Sequence, residues 1–214
     1  MTVTVREIPN GCLVQICRPE RKGALNVPLL SRLLTIFSER TDENIVLTGS
    51  EQGFCSGLDL KDMAMMSIQE KKQMNALYGE VLQAWVFRRG HKLVFLNGPA
   101  IGGGVGWVLA SDYVVATQQS WLCLPELSKG MRPVQIHQLL LSRLGPTNAL
   151  AWLSGMKIDL AMGLMHGMVQ EATVDQLEQW LEVRYPNIVL AHQFMKSMEG
   201  RSDWGVKGLS ELFV

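Results

Sequence analysis

The sequence predicts an α/β protein: a layered core of strands and helices, followed by a part that is helical only. Two observations lead to this fold class. Short β-branched runs alternate with segments whose apolar residues recur at helical spacing, and after about residue 145 only the helical spacing continues. With 214 residues, 47% of them hydrophobic, the chain can bury a full core. We expect a core over residues 1–145, with residues 146–214 as a helical part that is not an independent domain.

Periodicity and turn chemistry predict the elements in chain order. Thr2–Ile8 and Cys12–Cys17 alternate apolar and polar residues on either side of Asn10-Gly11, which predicts a β-hairpin. Further strands are expected at the short apolar runs 44–48, 91–96, 113–116 and 121–124. Helices are expected over residues 28–40, 67–89, 103–110, 134–144, 147–153, 159–164, 174–185 and 187–198. Pro186 separates the last two helices, and residues 200–214 are predicted to be irregular or partner-dependent.

Charge and composition exclude several classes of function. Twenty basic and twenty acidic residues cancel, so nothing indicates binding to nucleic acid or to an anionic membrane. The chain begins without a signal-peptide pattern, and no apolar run approaches the roughly 18 residues of a membrane span. The four cysteines are scattered, without a CxxC pair or histidines at metal spacing, so we expect reduced thiols and no metal. These features predict a cytoplasmic protein.

Two glycine-rich segments carry the strongest chemical signal. GFCSGLDL at Gly53–Leu60 and NGPAIGGGVG from Asn97 each place glycines at a strand-to-helix turn. Such a turn leaves backbone N–H groups bare, because no side chain shields them and no earlier turn accepts their hydrogen bonds. It suits a phosphate, or the oxyanion that develops on a reacting carbonyl. The alternative is that the glycines only allow close packing of strand against helix.

A lone carboxylate follows the second glycine-rich segment. Glu126 lies between Pro125 and Leu127 in a short apolar context. Apolar surroundings raise the pKa of a carboxyl group, because its charged form loses hydration, and this favours a role as acid or base near neutral pH. Alternatively, Glu126 caps the following turn or faces solvent. Together with the two turns, a semi-buried carboxylate indicates chemistry on a carbonyl compound.

These motifs resemble those of the crotonases, the enoyl-CoA hydratase/isomerase superfamily. GFCSGLDLKDM is similar to the segment that supplies one oxyanion-hole N–H, and NGPAIGGGVGWVLASDYVVAT with LPELSKGMRP resembles the second signature. CRPERKGALN resembles the thioester-binding turn near the N-terminus. The resemblance covers roughly the first 200 residues in order and spacing. It implies a spiral of ββα turns with two roughly perpendicular sheets, a reduced helical C-terminal part, and a homo-oligomer, either a trimer or a hexamer.

The resemblance also implies a site for an acyl thioester of CoA or of an acyl-carrier protein. The N–H groups of Leu58 and Gly103 would bind the thioester oxygen, with Gly57 and Gly102 beside them. The N-terminal turn supplies the other expected substrate contacts, namely Arg18, Lys22 and Ala24. A solvated loop is the alternative for its basic residues. No cofactor is expected, because CoA or phosphopantetheine is part of the substrate.

The chain departs from the hydratase pattern at Gly106. Hydratases of this superfamily use two glutamates to position one water; by register the first falls on Gly106 and the second on Glu126. We expect an empty place in the pocket at Gly106 and a pocket wall at Trp107. In having a glutamate only at the second position, the chain resembles the Δ3,Δ2-enoyl-thioester isomerases. The glycine in place of the first glutamate, together with the FCSGLD segment, also resembles the dehydratases of polyketide β-branching cassettes.

The sequence therefore predicts an acyl-thioester enzyme in which Glu126 moves protons, for double-bond isomerisation or for dehydration and hydration. The alternative is a non-catalytic accessory subunit that only binds the thioester. The chain is shorter at its C-terminal end than typical crotonases, whose last helices cover the site and build the trimer. The resemblance therefore leaves the closed pocket and the usual oligomer open, and catalysis is expected to be weaker unless a neighbouring subunit or residues 200–214 cover the site. Tyr78 is a candidate hydrogen-bond donor, His137 a surface or pocket residue, and Asp59 and Asp112 structural residues.

Overall fold

The computed structural model describes residues 2–50, 53–172 and 177–198 of the chain. The strands are β1 (Val3–Ile8), β2 (Gly11–Ile16), β3 (Ile45–Gly49), β4 (Lys92–Leu96), β5 (Ala100–Ile101), β6 (Tyr113–Ala116), β7 (Leu122–Cys123) and β8 (Glu171–Ala172). The helices are α1 (Val27–Glu39), α2 (Leu60–Ala64), α3 (Ile68–Val86), α4 (Gly103–Leu109), α5 (His137–Leu153), α6 (Leu160–Met165), α7 (Leu177–Val183) and α8 (Tyr185–Met198).

Six strands form the larger sheet, in the order β1-β2-β3-β4-β6-β8. The predicted hairpin is the antiparallel pair β1 and β2, and its turn lies one residue earlier than expected, because Ile8 pairs with Gly11. Pro9 followed by Asn10 at φ +63° is typical of a type II turn. The remaining pairs are parallel, and all five residues of β3 are buried, as expected for a strand covered on both faces.

A second, smaller sheet positions the two glycine-rich turns. Its strands β5 and β7 are parallel, with Ala100 opposite Leu122. A single parallel bridge between Cys55 and Ala100 adds the segment around Cys55 to its edge. Three chain segments therefore run side by side in one direction, and their carboxyl ends, at residues 58, 103 and 126, are brought to the same side of this layer.

Local signals explain where the main helices begin. The side chain of Asn26 caps α1 by accepting a hydrogen bond from the N–H of Leu29 (3.1 Å). A reciprocal capping box between Ser67 and Glu70 starts α3. These two helices pack against each other, with the rings of Phe37 and Trp85 4.8 Å apart between centroids.

The helices after residue 136 belong partly to the core. At Gly145 the backbone has φ +68° and ψ 170°, followed by Pro146, so α5 is the two predicted helices joined across a kink. Beyond it, Ile158 bridges to Leu122, and the unpredicted strand β8 pairs with β6. The first compact unit accordingly runs to Leu177, beyond the boundary expected at residue 145.

The second compact unit begins at Glu178. It contains most of α7 and the whole of α8, and the rings of Trp180 and Tyr185 pack together at 5.8 Å between centroids. Pro186 falls in the first turn of α8, where its missing N–H costs no helical hydrogen bond. The predicted irregular tail, residues 200–214, lies outside the described residues.

Candidate active site

A cavity of about 320 Å³ opens where the three parallel segments end. Its floor is formed by the two glycine-rich turns and by the segment after β7, and its walls by α3 and the loop before α5. The lining residues used below are Gly57, Leu58, Gly102, Gly103, Glu126, Tyr78, Asn75, Lys129, Arg132, Gln135 and Ile136. The cavity thus brings together the three residues expected to be catalytic, Leu58, Gly103 and Glu126.

The two glycine-rich turns touch each other at the cavity. Gly57 has φ +81°, and a Cβ built on it would lie 2.8 Å from the carbonyl oxygen of Ile101 and 3.1 Å from the nitrogen of Gly103. Only glycine allows so close an approach. Of the residues that the structure describes, none accepts a hydrogen bond from the N–H of Leu58 or of Gly103. Both donors remain available to a bound oxygen.

Glu126 faces the second turn. Its Oε1 lies 2.9 Å from the position that a Cβ on Gly102 would occupy, and Gly102 has φ +55°. Its Oε2 is buried and has no hydrogen-bond partner among the described residues. Burial raises the pKa of Glu126, while its own backbone N–H and the charge of Lys129 oppose the rise.

The side chain of Glu126 does not cap the turn that follows it. Its carbonyl oxygen accepts hydrogen bonds from the N–H groups of Lys129 (3.0 Å) and Met131 (2.9 Å), which fold the chain into a tight loop. The side chain makes no capping hydrogen bond to the short 3₁₀ turn that follows. The alternative of a turn cap is therefore wrong, and the carboxylate is available at the cavity.

Tyr78 of α3 occupies the place above α4 that the sequence predicts to be empty. Its hydroxyl donates a hydrogen bond to the carbonyl oxygen of Gly103 (2.8 Å). A Cβ built on Gly106 would overlap this hydroxyl oxygen and would lie 2.9 Å from Cγ2 of Ile136. The expectation of an empty place at Gly106 is thus wrong, because a side chain from another helix fills it.

Trp107 is not a pocket wall. It is fully buried, outside the residues that line the cavity, and its ring packs edge-on against Tyr78 at 5.7 Å and against Phe37 at 6.0 Å between centroids. Since it points into the core, Trp107 supports Tyr78 from behind and does not contact the cavity. Gly106 likewise lies outside the lining.

Arg18 is tied into the protein and does not face a phosphate. Its side chain is buried; one amino group lies 3.2 Å from Oδ2 of Asp59 and the other donates to the carbonyl of Ala24 (2.6 Å). Asp59 also caps α2 by accepting from the N–H groups of Lys61 and Asp62. Burial raises the pKa of Asp59, but the Asp62 N–H and the Arg18 charge outweigh burial and lower it. The expected substrate contact at Arg18 is thus replaced by a structural ion pair.

Of the other residues in the N-terminal turn, Lys22 is exposed and Ala24 is buried outside the cavity lining. Lys22 has φ +51°, and its carbonyl accepts a hydrogen bond from the N–H of Ser56 (3.1 Å). Ser56 itself lines the cavity. Lys22 therefore remains the candidate cation of this turn, beside the cavity edge.

Four polar residues of the cavity walls were not predicted from the sequence, namely Asn75, Lys129, Arg132 and Gln135. The amide of Gln135 packs where a Cβ on Gly79 would lie, and its Nε2 donates to the carbonyl of Asn75 (3.4 Å). A glycine in the middle of a predicted helix was the available signal. His137 is exposed and outside the lining, with Nδ1 2.8 Å from the carbonyl oxygen of Val134, so it is a surface residue.

Other features bear on the excluded classes of function. Asp112 accepts a hydrogen bond from the N–H of Lys92 and pairs with its ammonium (3.1 Å), which is a structural role. Within residues 2–50, 53–172 and 177–198, no three His, Cys, Asp or Glu side chains are grouped so that they could hold a metal ion. Nor does any helix in these ranges have the length and apolar character needed to cross a membrane.

Comparison with known proteins places the chain in a family. The sequence model of the enoyl-CoA hydratase/isomerase family matches residues 7–198. An enoyl-CoA hydratase of Alternaria alternata is 32% identical over 165 residues, which are 72% of this chain and 54% of that protein. A 4-chlorobenzoyl coenzyme A dehalogenase of Arthrobacter is 29% identical over 160 residues, 71% of this chain and 58% of that protein. The chain thus spans about half the length of these relatives.

Solved structures agree with the α/β fold. The enoyl-CoA hydratase of Bacillus anthracis superposes with a TM-score of 0.82 at 23% identity, over 89% of this chain and 76% of that one. DspI of Pseudomonas aeruginosa superposes with a TM-score of 0.78 at 26% identity, over 90% and 74% of the two chains. The predicted crotonase-like fold is therefore confirmed. Taken with the family match, these findings show that the chain belongs to the enoyl-CoA hydratase/isomerase family, the crotonase superfamily that its glycine-rich turns resemble.

Proposed function

We propose that this protein binds an acyl thioester of CoA or of an acyl-carrier protein and moves a proton at the carbon next to its carbonyl group. The observation that carries this proposal is the meeting of three groups at one cavity. The N–H groups of Leu58 and Gly103 are unpaired among the described residues, and the carboxylate of Glu126 lies over Gly102, directly beside Gly103.

The two N–H groups bind the thioester oxygen as negative charge develops on it. Glu126 takes a proton from the adjacent carbon, the electrons of the C–H bond pass into the enolate, and the same carboxyl group returns the proton to the substrate. Backbone donors of a rigid turn need no reorientation during the reaction, and losing one typically costs about 3 kcal/mol of transition-state stabilisation. The raised pKa of Glu126 makes its carboxylate a stronger base than an ordinary glutamate, which favours removal of the proton.

The family supports the choice of substrate class. The Alternaria relative is named for an enoyl-CoA and the Arthrobacter relative for a chlorobenzoyl-CoA, so both names specify a CoA thioester. The cavity walls are mostly apolar, with side chains such as Leu60, Met63 and Ile101, which suits the hydrocarbon part of an acyl group. We therefore favour CoA thioesters, with an acyl-carrier protein as the alternative carrier.

Turnover of a panel of 2-enoyl-, 3-enoyl- and 3-hydroxyacyl-CoA thioesters, followed by mass spectrometry, tests the proposal. We expect Glu126→Gln to lower kcat at least a hundredfold while thioester binding persists. Glu39→Gln is the matched control, since Glu39 is an exposed glutamate at the end of α1. Equal turnover by the Glu126→Gln variant and the wild type would exclude Glu126 as the proton carrier. Tight binding without turnover by the wild type would instead mark an accessory thioester-binding subunit.

The remaining expectations from the sequence stay predictions. They are a homo-oligomer, either a trimer or a hexamer, a reaction without a cofactor, and a cytoplasmic location. Sedimentation of the purified chain tests the first of them, and turnover by the purified chain with a chelator present and no cofactor added tests the second.

A further inference from the structure

We propose that Tyr78 takes the place of a second carboxylate in this site, and that it limits the reaction to migration of a double bond without addition or removal of water. This inference rests on the proposed function, because it assigns the reaction type of the same site. It follows from where the tyrosine is held, what space it leaves, and what the remaining carboxylate can do.

Tyr78 is held firmly on three sides. Its side chain is only 3% exposed, and its hydroxyl donates to the carbonyl oxygen of Gly103 (2.8 Å). The ring stands edge-on to Trp107 at an interplanar angle of 74°. A Cβ built on Gly103 would lie 3.2 Å from the ring carbons. The ring therefore lies over the first turn of α4, buried and tied to it by the hydrogen bond of its hydroxyl.

The tyrosine closes the space above Gly106. A side chain at position 106 would overlap the Tyr78 hydroxyl, and its Cβ would lie 2.9 Å from Ile136 and 3.6 Å from Leu82. A buried water needs several polar partners and about one water-sized space. Here two of the three neighbours are apolar, and the hydroxyl proton is already donated to Gly103. Neither a carboxylate nor a positioned water fits at this point.

One carboxylate suffices to move a double bond. In a 3-enoyl thioester, Glu126 removes a proton from C2, and the C–H electrons form a dienolate whose oxygen is held by the two N–H groups. The protonated Glu126 then delivers the same proton to C4, and the double bond ends between C2 and C3. Atoms and charge balance without any other reactant. Glu126 lies over Gly102, beside the oxyanion donors, as this transfer requires.

Addition of water is more demanding. A water must be positioned against C3 and deprotonated, and a proton must be delivered to C2. Because C2 and C3 are the two ends of the attacked double bond, these tasks are shared between two groups. In this site the group that would share them is a neutral phenol that already donates to a carbonyl. Burial raises the pKa of Tyr78 well above its ordinary value, as do the nearby Cys55 and Glu126, so the phenol keeps its proton.

The same hydrogen bond gives Tyr78 a second task, as a positioning residue. Gly102, Gly103 and Gly104 have no side chains to fix their backbone, so the first turn of α4 needs an external anchor. The bond from Tyr78 to the Gly103 carbonyl supplies one. Because Gly103 also provides an oxyanion donor, loosening this anchor should weaken transition-state binding more than binding of the thioester itself.

Product analysis in water enriched in heavy oxygen tests the inference with the whole chain of 214 residues. We expect the wild type to convert a 3-enoyl-CoA into its 2-enoyl isomer, with no heavy oxygen in the product, and to leave a 3-hydroxyacyl-CoA unchanged. Incorporation of heavy oxygen at a rate comparable with isomerisation would overturn this inference and leave the proposed function intact. Failure to turn over any thioester would contradict both this inference and the proposed function.

Tyr78→Phe tests the positioning role, because it keeps the ring and removes only the hydroxyl. We expect kcat for isomerisation to fall about tenfold with KM changed less than about twofold, since the loss affects only the transition state. Tyr113→Phe is the matched control, because Tyr113 of β6 lies outside the cavity lining. If kcat and KM of Tyr78→Phe both stay within about twofold of the wild-type values, Tyr78 does not position the Gly103 turn.

Discussion

The hydroxyl of Tyr78 donates a 2.8 Å hydrogen bond to the carbonyl oxygen of Gly103 and so connects the long helix α3 to the first turn of α4. One phenol thereby fixes a glycine turn that no side chain of its own could fix. The same hydroxyl fills the volume in which a side chain at Gly106 would lie. A contact between residues far apart in the chain therefore determines which side chain fills the space above Gly106.

Gly106→Ala is expected to destabilise the protein, because the new Cβ would overlap the Tyr78 hydroxyl. Overpacking of this kind typically costs about 1–3 kcal/mol. In a Tyr78→Phe background the cost should be smaller, since the overlapping atom is gone. Urea unfolding of the two single variants and the double variant gives the coupling energy. Strictly additive losses would show that the hydroxyl is not what excludes a side chain at position 106.

Gly57→Ala should damage the oxyanion site. Its Cβ would lie 2.8 Å from the Ile101 carbonyl and 3.1 Å from the Gly103 nitrogen, so the two turns must separate. Displacing one donor costs about 3 kcal/mol, and we expect kcat/KM to fall by about two orders of magnitude. Gly167→Ala is the matched control: its φ of +67° is similarly strained, but nothing lies within 4 Å of its Cβ. If both variants lose activity to a similar extent, backbone strain alone explains the loss, and separation of the two turns does not.

The pH dependence of turnover should report Glu126. As a base it must be deprotonated, so kcat/KM is expected to rise with pH through the pKa of this carboxyl group. Burial raises that pKa above the ordinary value of 4.5, and the Lys129 charge opposes the rise. Lys129→Met should therefore move the acid limb of the profile to higher pH. An acid limb that persists at the same pH in the residual activity of Glu126→Gln would exclude Glu126 as the titrating group.

Asp59→Ala should cost more stability than loss of a helix cap alone. Asp59 caps α2 and also lies 3.2 Å from the buried Arg18. A lost cap typically costs about 1 kcal/mol. Loss of the Asp59 carboxylate also leaves the buried Arg18 with only the more distant carboxylates of Glu20 (3.8 Å) and Asp62 (4.0 Å), which adds to that cost. Asp159→Ala is the control, because Asp159 caps α6 through the N–H of Met162 and is exposed. Equal losses in urea unfolding would show that the Arg18 pair contributes nothing measurable.

The sequence alone determined those features whose causes are local. The hairpin was predictable because alternation and a turn residue lie within one short stretch, and α3 because a capping box and helical spacing define it. The glycine-rich turns and Glu126 were predictable as a group, since their types and spacing carry chemistry before any folding is considered. Short elements were not: α2 has five residues and β8 has two, and neither has a periodicity to detect.

Tertiary structure decided which places in the site are filled. Gly106 was expected to leave a gap, but the hydroxyl of Tyr78 lies there; Trp107 was expected at the cavity but packs behind the tyrosine. Arg18 was expected to face a phosphate, but Asp59 holds it inside the protein. In each case the missing information is a contact between segments distant in sequence. Local sequence patterns indicate which chemistry a residue is capable of. The packing of segments distant in sequence determines which space its side chain occupies and which residues it contacts.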